Sequence, residues 1–320
     1  MSSHPVSAAA SGGAGATVDG GAGGGPGAVI VWGEVLWDRF PDGDRLGGAP
    51  SNVAWHLAQL GTPVALVTRV GADAAGRAAI ERLTAAGVDT SLVQIDDERA
   101  TGEVTVTVAA GEPRYRLEPG RAWERIALDA AVVARLAGAR AVVFGTLAQR
   151  TPAGLAALTA ALAATPATAL RVCDPNLRGA SPSADDDRAL RAALVAADVV
   201  KLGEREAAQV ATRLGLADPV AWLVERGARL VALTRGPAGS TWFAPGAAPL
   251  EVAAERAAPG GDNVGCGDAF VAALVHGLLV GWPWPRVGRL AAAVAGEVAA
   301  ARGATPILDG AALIARTEAA

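Results

Sequence analysis

Four short, continuous apolar runs recur in the second half of the chain and constrain its fold more than any other feature. They lie at residues 141–144, 170–174, 199–202 and 230–234, and alanine-rich stretches long enough for helices separate them. Such alternation is typical of a parallel sheet that is covered on both faces. We therefore predict an α/β fold, a three-layer sandwich with a mostly parallel central sheet covered by helices on both faces.

The segment from residue 98 to 120 has a different pattern and predicts a separate small sheet. Within it, at residues 104–108, valines alternate with threonines, and a Gly-Glu-Pro turn follows. That alternation is typical of an antiparallel hairpin with one polar face. We expect the hairpin to pair with a segment near residues 35–50 and to form a small β-sheet lid on one domain that spans residues 28–320.

Residues 1–27 are mainly glycine, alanine and serine, without a basic start or an apolar core, which predicts a disordered tail.

Composition argues against several classes of partner. The net charge of −4 argues against nucleic acid and acidic membrane surfaces, and interrupted apolar runs argue against a membrane span. The two cysteines, Cys173 and Cys266, have neither metal-ligand nor disulfide spacing, so we expect a cytoplasmic protein.

A glycine-rich loop followed by an apolar helix lies at residues 260–279. The helix begins near Gly265, Cys266 and Gly267, where the first N–H groups have no partner within the helix and glycine lets an anion approach them. This junction predicts a phosphate site. Asp268 lies in the same turn, and the turn alone does not decide whether it is a catalytic group or a capping acid.

A second glycine-rich stretch opens another helix. Gly47 and Gly48 precede Asn52, and Gly61 marks the end of that helix. Glycines at this place suggest close approach of a ligand, whereas Asn52 taken alone is equally consistent with an N-cap.

The carboxyl ends of the predicted parallel strands carry polar residues, which we expect to meet at one edge of the sheet. Neither a P-loop nor a standard dinucleotide fingerprint is present. His56 and His276 lie within predicted helices without ligand spacing and are expected to be packing or surface residues. Residues 285–302 are predicted to form the final helix, with proline near its start and Gly303 at its end.

With these motifs in place, the sequence resembles the ribokinase-like (PfkB) carbohydrate kinase family, and in particular its fructokinase-like branch. The likeness extends from about residue 29 to 306 and includes two family signatures, Gly-Gly-Ala-Pro-Ser-Asn at 47–52 and Asp-Asn-Val-Gly-Cys-Gly-Asp at 262–268. The segments that resemble fructokinases in particular lie at residues 33–38, 144–150 and 174–178.

The resemblance implies transfer of the γ-phosphoryl group of ATP to a sugar hydroxyl, with Asp268 as general base and the amides of Gly265, Cys266 and Gly267 as the anion hole. The remaining implied or expected site residues fall into three groups. The sugar side comprises Asp38, Gly47, Gly48, Asn52, Arg116 and Arg178; the nucleotide side comprises Lys201, Thr234, Gly236, Gly239, Ala292 and Gly296; Glu206 would lie in the outer shell of Mg²⁺ and Asp262 near a monovalent cation such as K⁺.

The sequence departs from the family pattern at three positions. The family commonly has threonine where this chain has Asn263, alanine where it has Cys266, and asparagine where it has Gly203. The missing asparagine side chain removes part of the expected phosphate and magnesium network, for which Lys201 and Arg178 are candidate substitutes. We expect the Cys266 thiol, at a helix N-terminus, to have a lowered pKa and to react with alkylating agents.

Four alternatives to a fructokinase remain at the level of sequence, three with another acceptor and one without catalysis. The acceptor could be 2-keto-3-deoxygluconate, ribose or a nucleoside, for which Trp37, Trp55 and Trp123 are candidate aromatic walls. A non-catalytic sugar or nucleotide sensor with the same fold is less favoured, because residues 265–268 keep the family pattern. The apolar face of the lid is expected either to form a homodimer or to close over substrate in a monomer.

Overall fold

A nine-stranded sheet forms the centre of the computed structural model, which describes residues 27–40, 42–109, 112–177 and 182–318. The strands among these residues are β1 Val29–Trp32, β2 Leu36–Phe40, β3 Gly43–Gly47, β4 Val64–Gly71, β5 Val93–Asp96, β6 Gly102–Ala109, β7 Glu112–Leu117, β8 Ala141–Phe144, β9 Leu170–Cys173, β10 Val199–Gly203, β11 Leu230–Thr234, β12 Ser240–Phe243 and β13 Leu250–Val252. The α-helices among them are α1 Ala49–Gln59, α2 Ala74–Ala85, α3 Ala130–Leu136, α4 Pro152–Ala163, α5 Ala184–Ala196, α6 Glu204–Leu214, α7 Pro219–Glu225, α8 Cys266–Val280, α9 Trp284–Ala300 and α10 Gly310–Arg316.

The central sheet is mostly parallel, as predicted. Its strand order is β13-β12-β11-β10-β9-β8-β1-β4-β5, and β12 runs antiparallel to both of its neighbours, β11 and β13, whereas the other described pairs are parallel. Sequence analysis did not identify β5, β12 or β13. Strands β5 and β13 are the two edge strands, where partial exposure interrupts the apolar runs by which the inner strands are recognised. Strand β12 lies next to β13 and is mostly buried, but its polar residues Ser240 and Thr241 interrupt the apolar pattern.

Helices cover both faces of the central sheet, which confirms the three-layer architecture. Strand β1 is buried along its whole length, and successive side chains point to opposite faces. Val29 and Val31 pack in the core that contains residues of α1, α8 and α9. Ile30 and Trp32 pack in the core on the other face, with residues of α3, α4 and α5.

The second sheet has the order β3-β2-β6-β7, and its strands lie in the two segments predicted to form the lid. The hairpin of β6 and β7 is antiparallel, whereas β6 runs parallel to β2. Leu36 and Val104 are buried in a small core to which Phe40 and Leu117 are added. We call these four strands the lid sheet.

Helix α8 lies within the core rather than on its surface. Every residue from Asp268 to Leu278 is buried, because α1 and α9 pack against this helix from outside the sheet. The sequence prediction of the final helix was wrong in one respect: α9 is followed by α10, a short helix capped by Asp309. No helix in the described part of the chain is long and apolar enough to cross a membrane.

Asp73 joins α2 to the first residues of the lid sheet. Its carboxylate accepts hydrogen bonds from the Gly76 N–H at 2.7 Å, the Thr101 N–H at 2.9 Å and the Thr101 hydroxyl at 2.6 Å. Burial alone would raise the pKa of Asp73, but these hydrogen bonds outweigh burial and hold the pKa below its usual value. Asp73 therefore caps a helix and fixes the point where β6 begins.

Replacing Asp73 should destabilise the protein more than removing an ordinary helix cap. We expect Asp73→Ala to lower the free energy of unfolding by about 2 kcal/mol, against about 1 kcal/mol for the matched variant Asp309→Ala, whose cap accepts a hydrogen bond from Ala312. Urea unfolding measures both. The Asp73 contribution is complete above the ordinary carboxyl pKa of 3.8 and is lost as the pH falls through the lower folded value. Equal losses in the two variants would contradict this role.

Candidate active site

A cavity of about 540 Å³ lies between the lid sheet and the carboxyl edge of the central sheet. The first turns of α1 and α8 meet there with residues that follow β1, β8 and β9, and Leu36, Val104 and Leu117 of the lid sheet form an apolar wall. The predicted residues that line this cavity are Asp38, Gly48, Asn52, Lys201, Glu206, Gly265, Gly267 and Asp268. Folding therefore brings the two glycine-rich stretches together.

The N-terminus of α8 opens into this cavity. Gly265 is the N-cap, with φ of 81°, and a Cβ atom there would lie 2.6 Å from Cα of Ala304. Glycine is thus required both for the backbone conformation and for space. Asp268 follows in the first turn, is only 4% exposed, and accepts a hydrogen bond from Asn52 Nδ2 at 2.8 Å.

Asn52 links the two glycine-rich stretches and is not a helix cap. Helix α1 begins at Ala49 with Gly48 as N-cap, so Asn52 lies inside the helix. Its amide nitrogen binds Asp268, while its Oδ1 atom is buried and has no hydrogen-bond partner among the described residues. A buried amide oxygen without a partner costs stability, and one that faces a cavity can accept a hydrogen bond from a ligand hydroxyl.

Close backbone packing shapes the wall of the cavity near α1. A Cβ atom at Gly48, where φ is 102°, would lie 2.6 Å from the carbonyl oxygen of Glu34. A Cβ atom at Gly47 would lie 2.4 Å from Oδ2 of Asp38. Both glycines therefore keep room for an acidic segment, and both Glu34 and Asp38 line the cavity.

Lys201 occupies the centre of a buried charge cluster. Its Nζ atom lies 3.2 Å from Oδ2 of Asp174 and 3.3 Å from Oε2 of Glu206. Burial alone would lower the pKa of Lys201, but these carboxylates outweigh burial and raise it, so the ammonium group stays charged. Burial raises the pKa of Asp174; the Lys201 charge opposes this shift, and the negative charges of Glu206 and Asp268 add to it.

Sequence analysis did not name every polar residue of the cavity as a site residue. Those it missed are Glu34, Thr146, Arg150, Asp174 and Asn176. All five follow the carboxyl ends of the adjacent strands β1, β8 and β9, and all five lie in the segments that resemble fructokinases. Position at a strand end was therefore the available signal. This signal does not give the direction in which each side chain points.

The predicted nucleotide-side residues other than Lys201 lie outside the first cavity. Thr234 ends β11 and donates its hydroxyl to the Leu202 carbonyl oxygen, and Gly236 and Gly239 form the turn into β12 with positive φ. Ala292 lines a second cavity of about 250 Å³ between α9 and the segment after β13. Gly296 lies one turn further along α9, where a Cβ atom would be 3.2 Å from Glu255 Cβ.

The two predicted cation-associated carboxylates are both held by backbone groups. Glu206 accepts hydrogen bonds from the N–H groups of Leu177 and Gly203 at 3.0 and 2.7 Å. Asp262 is exposed and accepts from Val264 and Gly303 at 3.1 and 2.9 Å. No group of three or more potential metal-ligating side chains occurs within the described ranges.

Some predicted residues do not reach the cavity. The Arg116 side chain is 79% exposed and lies near Glu118; because Leu117 faces the cavity, its neighbour on the strand points to the opposite face. Arg116 therefore does not line the cavity in this conformation, and its contact with the sugar stays a prediction. Arg178 lies outside the described residues. The three candidate tryptophans, Trp37, Trp55 and Trp123, do not line the cavity.

Two of the three residues that differ from the family pattern, Asn263 and Cys266, have clear local consequences. Asn263 has φ of 58°, a left-handed conformation that asparagine tolerates better than a β-branched residue such as threonine. Burial raises the pKa of the Cys266 thiol to about 11, and the negative charges of Asp268 and Asp262 add to the shift. The predicted lowered pKa is therefore wrong, because desolvation and two acidic neighbours outweigh the favourable field of the helix N-terminus.

The chain is similar in sequence and in structure to carbohydrate kinases. The profile of the pfkB family carbohydrate kinases matches residues 43–309. A fructokinase of Klebsiella pneumoniae is 31% identical over 268 residues, which cover 79% of this chain and 84% of that protein.

Two solved structures extend the similarity to the fold. An uncharacterized sugar kinase from Pyrococcus horikoshii in complex with ATP aligns with a TM-score of 0.74 and 26% identity, covering 87% of this chain and 94% of that one. A fructokinase from Vibrio cholerae in a fructose, ADP and calcium ion bound form aligns with a TM-score of 0.77 and 25% identity, covering 91% and 98%.

The Cys266 thiol should be unreactive in the native protein. At pH 8 we expect iodoacetamide to label it at least ~10-fold more slowly than glutathione, because the thiolate is the nucleophile and the raised pKa keeps its fraction small. Peptide mass spectrometry separates Cys266 from the fully buried Cys173. Both cysteines should react rapidly after unfolding in guanidinium, which serves as the control. Native labelling of Cys266 at the rate of glutathione would refute the assignment.

Proposed function

The chain belongs to the pfkB family of carbohydrate kinases and is a sugar kinase, and we propose that it transfers the γ-phosphoryl group of ATP to a hydroxyl of a neutral sugar, with fructose the first candidate. The observation that carries this proposal is the hydrogen bond between Asn52 and Asp268 at the N-terminus of α8. It brings a general base, an anion site and a hydroxyl-binding amide within one cavity.

The chemistry requires little beyond these groups. The sugar oxygen forms a bond to the γ-phosphorus as the bond from that phosphorus to the bridging oxygen of ADP breaks. The hydroxyl proton passes to the Asp268 carboxylate. Negative charge on the transferring group is stabilised by the backbone amides at Gly265, Cys266 and Gly267, whose positions are set before substrate binds.

The charge of the cavity favours a neutral acceptor. Among the described residues, its lining contains five carboxylate side chains, those of Glu34, Asp38, Asp174, Glu206 and Asp268, against the two cations Arg150 and Lys201. Both cations are already ion-paired, Lys201 within its buried cluster and Arg150 with Asp186 at 3.0 Å. A phosphorylated sugar would add negative charge to this surplus, whereas a polyol can donate hydroxyl protons to the carboxylates.

Arg150 supports a second class of acceptor, the sugar acids. A sugar acid such as 2-keto-3-deoxygluconate needs a cation for its carboxylate, and Arg150 lines the cavity. Ribose is distinguished from fructose only by turnover. The nucleoside alternative loses its expected support, because the candidate tryptophans lie elsewhere: Trp37 donates to Ala75 and Trp55 donates to Pro306.

ATP is expected to extend from the first cavity toward the second. The loop before α8 is joined to the end of α9, since the Asp262 N–H donates to the Ala301 carbonyl oxygen at 3.1 Å. Helix α9 also carries Ala292 into the second cavity, which we assign to the adenine. We expect Thr234, Gly236, Gly239 and Gly296 to contact the rest of the nucleotide. Such an arrangement supports one continuous nucleotide site.

We propose that two cations, Mg²⁺ and K⁺, assist phosphoryl transfer. Mg²⁺, when bound, neutralises charge on the phosphates, and Glu206 would hold one of its waters. K⁺ near Asp262 would strengthen the link between the loop before α8 and Gly303, which the Asp262 carboxylate already joins. A homodimer through the lid sheet remains a prediction that sedimentation can decide.

A substrate panel tests the proposed function. Purified protein with ATP, Mg²⁺ and K⁺ should release ADP with fructose faster than with ribose, 2-keto-3-deoxygluconate, fructose 6-phosphate or a nucleoside. Omitting K⁺ tests the monovalent cation in the same assay. ADP release with the sugar acid alone would move the assignment to that acceptor. Ligand-induced thermal stabilisation without ADP release from any acceptor would favour the sensor.

Asp268→Asn should abolish most turnover while leaving nucleotide binding intact. We expect a loss of about 10³-fold in kcat, because removing a general base costs at least ~10²-fold and the charge at the anion site also changes. Calorimetry with ATP should give an affinity within about 3-fold of wild type. Near-normal kcat in this variant would assign the base to another group.

A further inference from the structure

Lys201 is placed unusually close to the helix turn that receives the transferring group. A Cβ atom added at Gly267 would lie 3.0 Å from Nζ of Lys201. Gly267 is not one of the glycines with a positive φ, so its backbone conformation does not require glycine. The absence of a side chain at Gly267 instead leaves room for the ammonium group beside the first turn of α8.

Lysine at this position stands out against the composition of the chain. Lys201 is the only lysine, while the other basic side chains among the 28 are arginine. A guanidinium is planar and wide, whereas an ammonium is a compact point charge on a flexible stem. A space bounded by Gly267 and two carboxylates accepts the compact group, but its flexible stem must be fixed by partners.

The two carboxylates that hold Lys201 differ in their other hydrogen bonds. Glu206 also accepts backbone hydrogen bonds from Leu177 and Gly203, so its position is set independently of Lys201. Asp174 accepts one backbone hydrogen bond, from Asn176 to Oδ1, and its Oδ2 atom has the Lys201 ammonium at 3.2 Å and no hydrogen-bond partner in the described part of the chain. The charge of Asp174 is thus directed at Lys201.

We propose that Asp174 is a positioning residue for phosphoryl transfer, which holds the Lys201 ammonium against the first turn of α8 so that it stabilises charge on the transferring group. This inference rests on the proposed function and adds to the general base and the anion hole. In this role Asp174 acts through Lys201. Asp174 pulls the ammonium toward β9 while Glu206 holds it from α6, so the cation keeps one position.

The test compares Asp174→Asn with wild type and with Asp198→Asn. The control removes a carboxylate from the opposite end of the same sheet, just before β10, where Asp198 accepts a hydrogen bond from the Arg171 N–H. We expect Asp174→Asn to lower kcat about 10- to 100-fold, with KM for sugar and ATP changed less than about 3-fold, and Asp198→Asn to resemble wild type. Circular dichroism and thermal melting check folding.

Two further measurements separate positioning from a purely structural effect. In a double-mutant cycle, Asp174→Asn combined with Lys201→Met should lose no more kcat than Lys201→Met alone, because both changes remove the same interaction. Affinity for ADP with aluminium fluoride, which mimics the transferring group, should fall about 10-fold or more in Asp174→Asn while affinity for ADP alone stays within about 3-fold. The second measurement also applies if Lys201→Met does not fold.

The outcomes distinguish this inference from the proposed function. Wild-type kcat in Asp174→Asn, additive losses in the cycle, or a rise in sugar KM at constant kcat would each overturn the positioning role and leave the kinase assignment intact. Failure of the wild-type protein to phosphorylate any acceptor would overturn the proposed function. In that case the affinity for ADP with aluminium fluoride still decides whether Asp174 acts on the anion site through Lys201.

Discussion

The burial of α8 is the constraint on which the site depends. This helix is apolar from Ala269 onward and lies between the central sheet, α1 and α9, so it can neither rotate nor slide without exposing core residues. Its polar end is consequently held at the carboxyl edge of the sheet, where Gly265 begins the first turn. An anion site made of backbone amides needs that rigidity, because its donors must point at one place before the ligand arrives.

Long-range contacts then connect this turn to segments that are distant in sequence. Asn52 reaches Asp268 from α1, and the same helix holds the segment after α9 through the ring of His56, which lies 2.9 Å from the Ala304 carbonyl oxygen. Burial lowers the pKa of His56 to about 4, so the ring is neutral at physiological pH and adds no charge to the site. Helix α1 therefore supports both Asp268 and the loop that packs on Gly265.

Electrostatics divides the cavity into two parts. Around Lys201 the charges are ion-paired and buried, and near the lid sheet the carboxylates of Glu34 and Asp38 form an acidic wall next to apolar side chains. A neutral polyol suits the acidic wall, and a phosphoryl group suits the amides and the ammonium. The two substrates would thus meet at Asp268, which belongs to both parts.

Local patterns in the sequence determined the central sheet, the lid hairpin and the two glycine-rich helix starts, because apolar periodicity and glycine act over a few residues. Tertiary structure alone decided which polar groups meet. It turned Arg116 away from the cavity through strand alternation, and it raised the pKa of Cys266 where position at a helix start predicted the opposite. It also brought Asp174 to Lys201. Side-chain direction and desolvation depend on neighbours far along the chain, and no local pattern contains them.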